Sequence, residues 1–88
     1  MTIEEIAARD TQTGRLCREL SSPPGLWVTG PWLTKAAHTN GLSRTVGELR
    51  KLLPPGWVIE NRLEQVKGER TKLSYYRLRK NGEVADDD

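Results

Sequence analysis

The hydrophobic period of this chain changes at Pro54-Pro55-Gly56, and that change predicts the fold class. Before it, apolar residues recur at helical spacing behind recognisable capping residues. After it they alternate over two runs joined by a short glycine-containing loop. The expectation is an α+β domain with a three-helix core and a C-terminal β-hairpin. The length of 88 residues allows one small domain, and 35% hydrophobic residues with three Trp and two Tyr make it too apolar for a wholly disordered chain.

The elements follow in order. Thr2-Ile3-Glu4-Glu5 has the form of a capping box, and Ile3, Ile6 and Ala7 share one helical side. Residues 1–10 therefore read as an accessory helix or arm that packs on the domain, frays, or pairs with a second copy as a homodimer. The domain itself is expected over residues 11–80. A first core helix starts at Thr11 or Thr13 and runs through Leu20, with Leu16, Cys17 and Leu20 on one face and Cys17 as a small core hydrophobe. Ser21-Ser22-Pro23-Pro24-Gly25 stops it. Leu26-Trp27-Val28 is β-prone. Thr29 caps a second helix through about Ala37, with Pro31 tolerated in its first turn and Trp32, Leu33, Ala36 and Ala37 as its apolar face. His38-Thr39-Asn40-Gly41 is a turn. Ser43 is the expected cap of a third helix, Arg44 to about Leu53, whose buried stripe is Val46, Leu49 and Leu53. Residues 57–66 and 72–79 read as the strands of the hairpin, with residues 67–71 as its loop and Tyr76 and Leu78 facing the core. The Trp residues are expected to cover a thin core, and residues 81–88 read as a disordered acidic tail.

Composition excludes several function classes. No apolar run reaches the roughly 18 residues of a membrane span, and no signal peptide is recognisable, so a cytoplasmic protein is expected. One Cys and one His exclude an internal disulfide framework and a zinc site of ordinary ligand count. No nucleophile–base pair stands in catalytic spacing, so neither catalysis, metal nor cofactor is expected. The formal net charge is only +2, yet residues 34–80 hold eleven Lys/Arg against four Glu, between two acidic ends. A basic segment of that kind attracts polyanions.

Three helices followed by a charged hairpin form a winged helix-turn-helix, in which the third helix enters the major groove and the hairpin lies on the backbone. Arg44 and Thr45, in the first turn of that helix, are the candidate base-reading residues. Arg44 suits guanine in bidentate fashion, and Thr45 suits a thymine methyl. The candidate phosphate-binding residues are Lys35, Thr39 and Asn40 at the corner, Arg50 and Lys51 late in the helix, and Arg62, Lys67, Arg70 and Lys72 in the hairpin. Neutralising about six phosphates gives a slope of log K against log salt near −5.

The stretches Asp10-Thr-Gln-Thr-Gly-Arg-Leu16, Val28-Thr29, Leu42-Ser-Arg-Thr-Val46, Glu48-Leu-Arg-Lys51, Val58-Ile59-Glu60 and Tyr75-Tyr-Arg-Leu78 resemble a family of small helix-turn-helix proteins of bacteriophages and prophages. Its members show a TQxGRLLRxL start, an ITxxEA second helix, an LSARIxDLRKxGYPIE third helix and strand, and a closing YRL. The resemblance spans about residues 10–79 and implies a winged-helix fold and a double-stranded DNA-binding role, such as transcription regulation. Thr45 stands where the family has Arg, and Gly47 where it often has a large residue. Two other readings compete. One is a protein-interaction module that binds a host or phage protein; the other is an excisionase-like architectural DNA binder that bends its target.

Overall fold

A computed structural model describes residues 2–22, 24–65, 68 and 72–80. The expected acidic tail at 81–88 and most of the hairpin loop lie outside the described residues. The chain is α+β, with helices α1 (Ile3–Ala7), α2 (Gln12–Leu20), α3 (Gly30–Ala37) and α4 (Leu42–Leu52) and strands β1 (Val28–Thr29), β2 (Trp57–Gln65) and β3 (Lys72–Lys80). The three strands form one antiparallel sheet in the order β1-β3-β2.

The capping box at the N-terminus forms as its residues dictate. Glu5 N–H donates to Thr2 Oγ1 at 3.1 Å, and Thr2 N–H donates to Glu5 Oε1 at 2.7 Å. Ile3 and Ile6 join the same buried cluster as Leu16, Leu33, Leu49 and Leu78. The side chains that suggested a pairing surface are thus buried inside their own chain, and residues 1–10 share one core with the rest. Arg18 reinforces the joint by donating to the Ala7 carbonyl from two nitrogens, at 3.0 and 2.9 Å. Gly14 is required there, because a Cβ would lie 2.2 Å from the Arg9 carbonyl oxygen. Cys17 is fully buried and its thiol is pushed up to about 11, first by burial and then by the Glu4 charge. It packs as a hydrophobe.

Thr29 caps α3 through Trp32 N–H, and His38 ends that helix in the left-handed region at φ 56°. The next helix starts two residues earlier than its sequence suggests. Gly41 is the N-cap of α4, no side chain caps it, and Ser43 is an exposed second residue of the helix. Leu42 explains the shift: it packs against the core, where a Cβ on Gly30 would meet Leu42 Cδ2 at 3.6 Å and Ser74 Cβ at 3.5 Å. Gly30 is therefore where the start of α4, the start of α3 and β3 meet.

The strand expected at Leu26-Trp27-Val28 is displaced. Pairing begins only at Val28, opposite Tyr76, and Leu26 is exposed. In the hairpin, Ile59 opposes Leu78 and Arg62 opposes Tyr75. Ile59, Tyr76 and Leu78 face the helices, while Glu60, Arg62, Tyr75, Arg77 and Arg79 alternate onto the outer face. From Asn61 to Gln65 every residue of β2 is exposed, so the hairpin projects beyond the core as an arm. The Trp residues do not jointly cover the core. Trp57 alone packs against it; Trp27 lies on the outer face of the sheet, and Trp32 is 56% exposed because it stands on the solvent side of α3's first turn.

Substitutions report this packing directly. Ile6→Ala should lower unfolding free energy by about 2–4 kcal/mol if α1 is integral to the core, and urea titration measures it. Gly47→Ala should have the opposite sign to Gly14→Ala, raising stability by up to about 1 kcal/mol, since a Cβ at Gly47 meets nothing within 4 Å.

Candidate nucleic-acid interface

Burial of Thr45, Val46 and Leu49 turns one side of α4 into the core and leaves Ser43, Arg44, Glu48, Arg50 and Lys51 exposed on the other. Arg44 and Lys51 are seven residues apart and so share a side, with Gly47 between them. Among the described residues neither makes an ion pair. Glu48 sits on the edge of this face and accepts from Thr13 Oγ1 at 3.4 Å.

Thr45 and Thr39 are corrections to the sequence reading. Thr45 is 2% exposed, and its hydroxyl lies 2.9 Å from that of Thr39 and 3.1 Å from the Gly41 carbonyl. Thr39 is 4% exposed and accepts from Gly41 N–H at 3.1 Å. The pair ties the α3–α4 turn together from inside, where neither hydroxyl can reach a base or phosphate. Thr45 lies four residues before Leu49, on the same helical side, which is why it is buried.

Two expected phosphate cations have other engagements. Arg50 Nη2 donates to the Ile59 carbonyl at 3.0 Å, fastening the end of α4 to β2. The Arg62 guanidinium lies 4.5 Å from the Trp27 ring centroid, 5.6 Å from that of Tyr75, and 3.4 Å from Glu64. Asn40, Lys35 and Lys72 are exposed, as expected of backbone contacts. Lys67 and Arg70 lie outside the described residues. His38 is a turn residue whose carbonyl accepts from Gln12 Nε2 at 3.1 Å.

Arm and helix meet at one corner. Ser74 and Leu42 both rest on Gly30, so the first turn of α4 adjoins the helix-facing side of the arm. Leu63 opposes Ser74 on that side, and Lys72 lies two residues further out along β3. Leu63 and Lys72 thus lie on the face of the arm that the first turn of α4, with Arg44, adjoins.

The outer face of the sheet carries a cluster that the sequence reading missed. Arg77 lies 4.5 Å from the Trp27 centroid, as Arg62 does, and bonds Glu60 through Nε. Arg79 Nε is 2.7 Å from Glu60 Oε2, a charge contact whose N–H is poorly aligned for a hydrogen bond. Burial pushes the Glu60 carboxyl up, but the Arg77 hydrogen bond and the close Arg77 and Arg79 guanidinium groups outweigh it and hold the group below the usual carboxylate value. Strand periodicity could have placed Glu60, Arg62 and Glu64 on one face; only the fold brings Trp27 there.

Among the described residues no group of three His, Cys, Asp or Glu could hold a metal ion, and no helix is long and apolar enough to cross a membrane. No family model, curated protein or solved structure matches the chain.

Thr45→Val should cost about 1–2 kcal/mol, because it strands the buried Thr39 hydroxyl, and should leave nucleic-acid affinity unchanged at temperatures where the variant is folded. For Glu60, the depressed folded value places its stabilisation above the unfolded value near 4.3, to be lost as pH falls through the folded one. Glu60→Gln should therefore be less stable than the parent at neutral pH and converge with it in acid, as read by urea midpoints across pH.

Proposed function

We propose that this chain is a winged helix-turn-helix protein of phage or bacterial type that binds double-stranded DNA in the cytoplasm, without catalysis, in the service of transcription control. In this reading α3, the four-residue turn and α4 are the helix-turn-helix, and β2 and β3 form the wing. The observation that carries it is the exposed side of α4. Arg44 stands in its first turn and Lys51 in its last, both without a described carboxylate partner, beside an arm that reaches past the core.

Arg44 remains the candidate for reading a base edge. Lys35, Asn40, Lys51 and Lys72, with Lys67 and Arg70 in the loop, are the candidates for phosphate contact. Thr39 and Thr45 leave the list, Arg62 is held on Trp27, and Arg50 serves α4 and β2 first. With fewer cations available, about four phosphates are neutralised and the slope of log K against log salt moves to about −3.6. The protein-interaction reading draws support from a different observation. Trp32 is exposed, steadied by an Nε1–H bond of 2.7 Å to Glu19, next to Lys35 and Ala36, and a surface indole of that kind suits a protein contact. An architectural, DNA-bending protein would use the same α4 face as a regulator.

Fluorescence anisotropy against duplex pools at several salt concentrations tests the proposal. Lys51→Ala should weaken binding to all sequences alike and reduce the salt slope by about 1, whereas Arg44→Ala should cost about 1–3 kcal/mol on a subset of sequences. Affinity that is flat in salt, or undiminished by both substitutions, defeats the DNA reading. Loss of a protein partner on Trp32→Ala, with DNA binding absent, would favour the second.

A further inference from the structure

β2 is the edge of the sheet, with β3 on one side of it. Two hydrogen bonds establish which of its backbone groups face outward. Leu78, opposite Ile59, gives its carbonyl to Gly25 N–H at 2.8 Å on the β1 side of β3. The Ile59 carbonyl in turn accepts from Arg50 at 3.0 Å, away from β3. Ile59 is thus a non-hydrogen-bonded position of the ladder, and by the strand period of two Asn61 and Leu63 also turn their N–H and C=O groups to the free edge.

Such an edge is ordinarily blunted by Pro, Lys or short length. β2 runs nine residues, Trp57–Gln65, with neither Pro nor Lys, and carries Leu63 at 58% exposure. The sequence around Leu63, Asn61-Arg62-Leu63-Glu64-Gln65, is chemically complementary to itself when read in the opposite direction. Arg62 then falls opposite Glu64, Glu64 opposite Arg62, and Leu63 opposite Leu63.

We infer that β2 pairs with β2 of a second copy about a two-fold axis at Leu63, joining two three-stranded sheets into one of six strands. Because Leu63 faces the free edge, the two Leu63 residues exchange both backbone hydrogen bonds. Arg62 and Glu64 fall in the closer non-hydrogen-bonded pairs, where Cα atoms lie about 4.5 Å apart and opposite charges are favoured. Glu64 already lies 3.4 Å from Arg62 in its own chain, so both charges stand on the outer face at the required place. Pairing stops at Ile59, whose carbonyl Arg50 occupies. The axis is perpendicular to the sheet, so both copies carry their helices on the same side. The contact is isologous and closes at two chains. A strand pair this short buries less than about 1,000 Å² and forms a weak dimer, with Kd of about 10–100 µM. This inference stands on the edge geometry and does not depend on DNA binding.

Sedimentation equilibrium of the full chain at low salt tests it, from about 10 µM to about 1 mM, a range that spans the expected Kd. The mass should rise from 9.9 kDa to twice that and stop. Leu63→Lys, Glu64→Arg and Arg62→Glu should each weaken association at least about tenfold by placing like charges opposite one another. An equimolar mixture of Glu64→Arg with Arg62→Glu should associate again, because every cross-strand charge pair is then complementary. Circular dichroism establishes that each variant is folded. A parent that stays monomeric at the highest concentration, growth beyond two chains, undiminished association of Leu63→Lys, or a mixture that remains monomeric would each overturn the pairing.

Discussion

The burial of Val46 and Leu49 in the cluster that contains Leu16, Leu20 and Leu33 determines where everything functional points. Once that side of α4 is committed to α2, helical geometry places Ser43, Arg44 and Lys51 in solvent and turns Thr45 inward. The Thr39–Thr45 hydroxyl pair then sets how α3 enters the turn, and Arg50 sets where the end of α4 meets β2. A core without Phe, built mainly from Leu and Ile, supports this because its members come from every helix and from both long strands.

Charge behaves differently in the fold than in the sequence. The basic middle of the chain suggests a broad cationic surface, but much of it is used internally. Arg77 and Arg79 converge on Glu60, while Arg62 and Arg77 both lie against Trp27. These contacts join the segment before β1 to both strands of the hairpin. Arg44 and Lys51 on α4, Lys35 on α3 and Lys72 on the arm remain exposed and without a described ion pair. A weak polyanion binder that gains affinity by pairing copies is consistent with that smaller set.

The architecture was largely legible because each element announced itself locally. The capping box at Thr2, the cap at Thr29, the Pro-Pro-Gly stops and the switch to alternating residues all rest on physics within a few positions. The failures share one cause, which is tertiary competition. Ser43 is a good capping residue, but recruiting Leu42 to the core draws the helix start two residues earlier. Thr45 has the residue type and first-turn position of a groove contact, but it shares Leu49's side of the helix and meets a hydroxyl partner six residues away. Nothing near Trp27 in sequence indicates that it would lie beneath two arginines from the far end of the chain.

Under the proposed function, α4 and the helix-facing side of the arm, rather than the aromatic outer face of the sheet, receive the nucleic acid. Titrating the labelled protein with a duplex at low salt and following backbone amide shifts tests this most directly. The account predicts changes concentrated over Ser43–Lys51 and Lys72–Ser74, with Trp27, Arg62 and Arg77 unmoved. Changes centred on Trp27 and Tyr75, or none along α4, would contradict it.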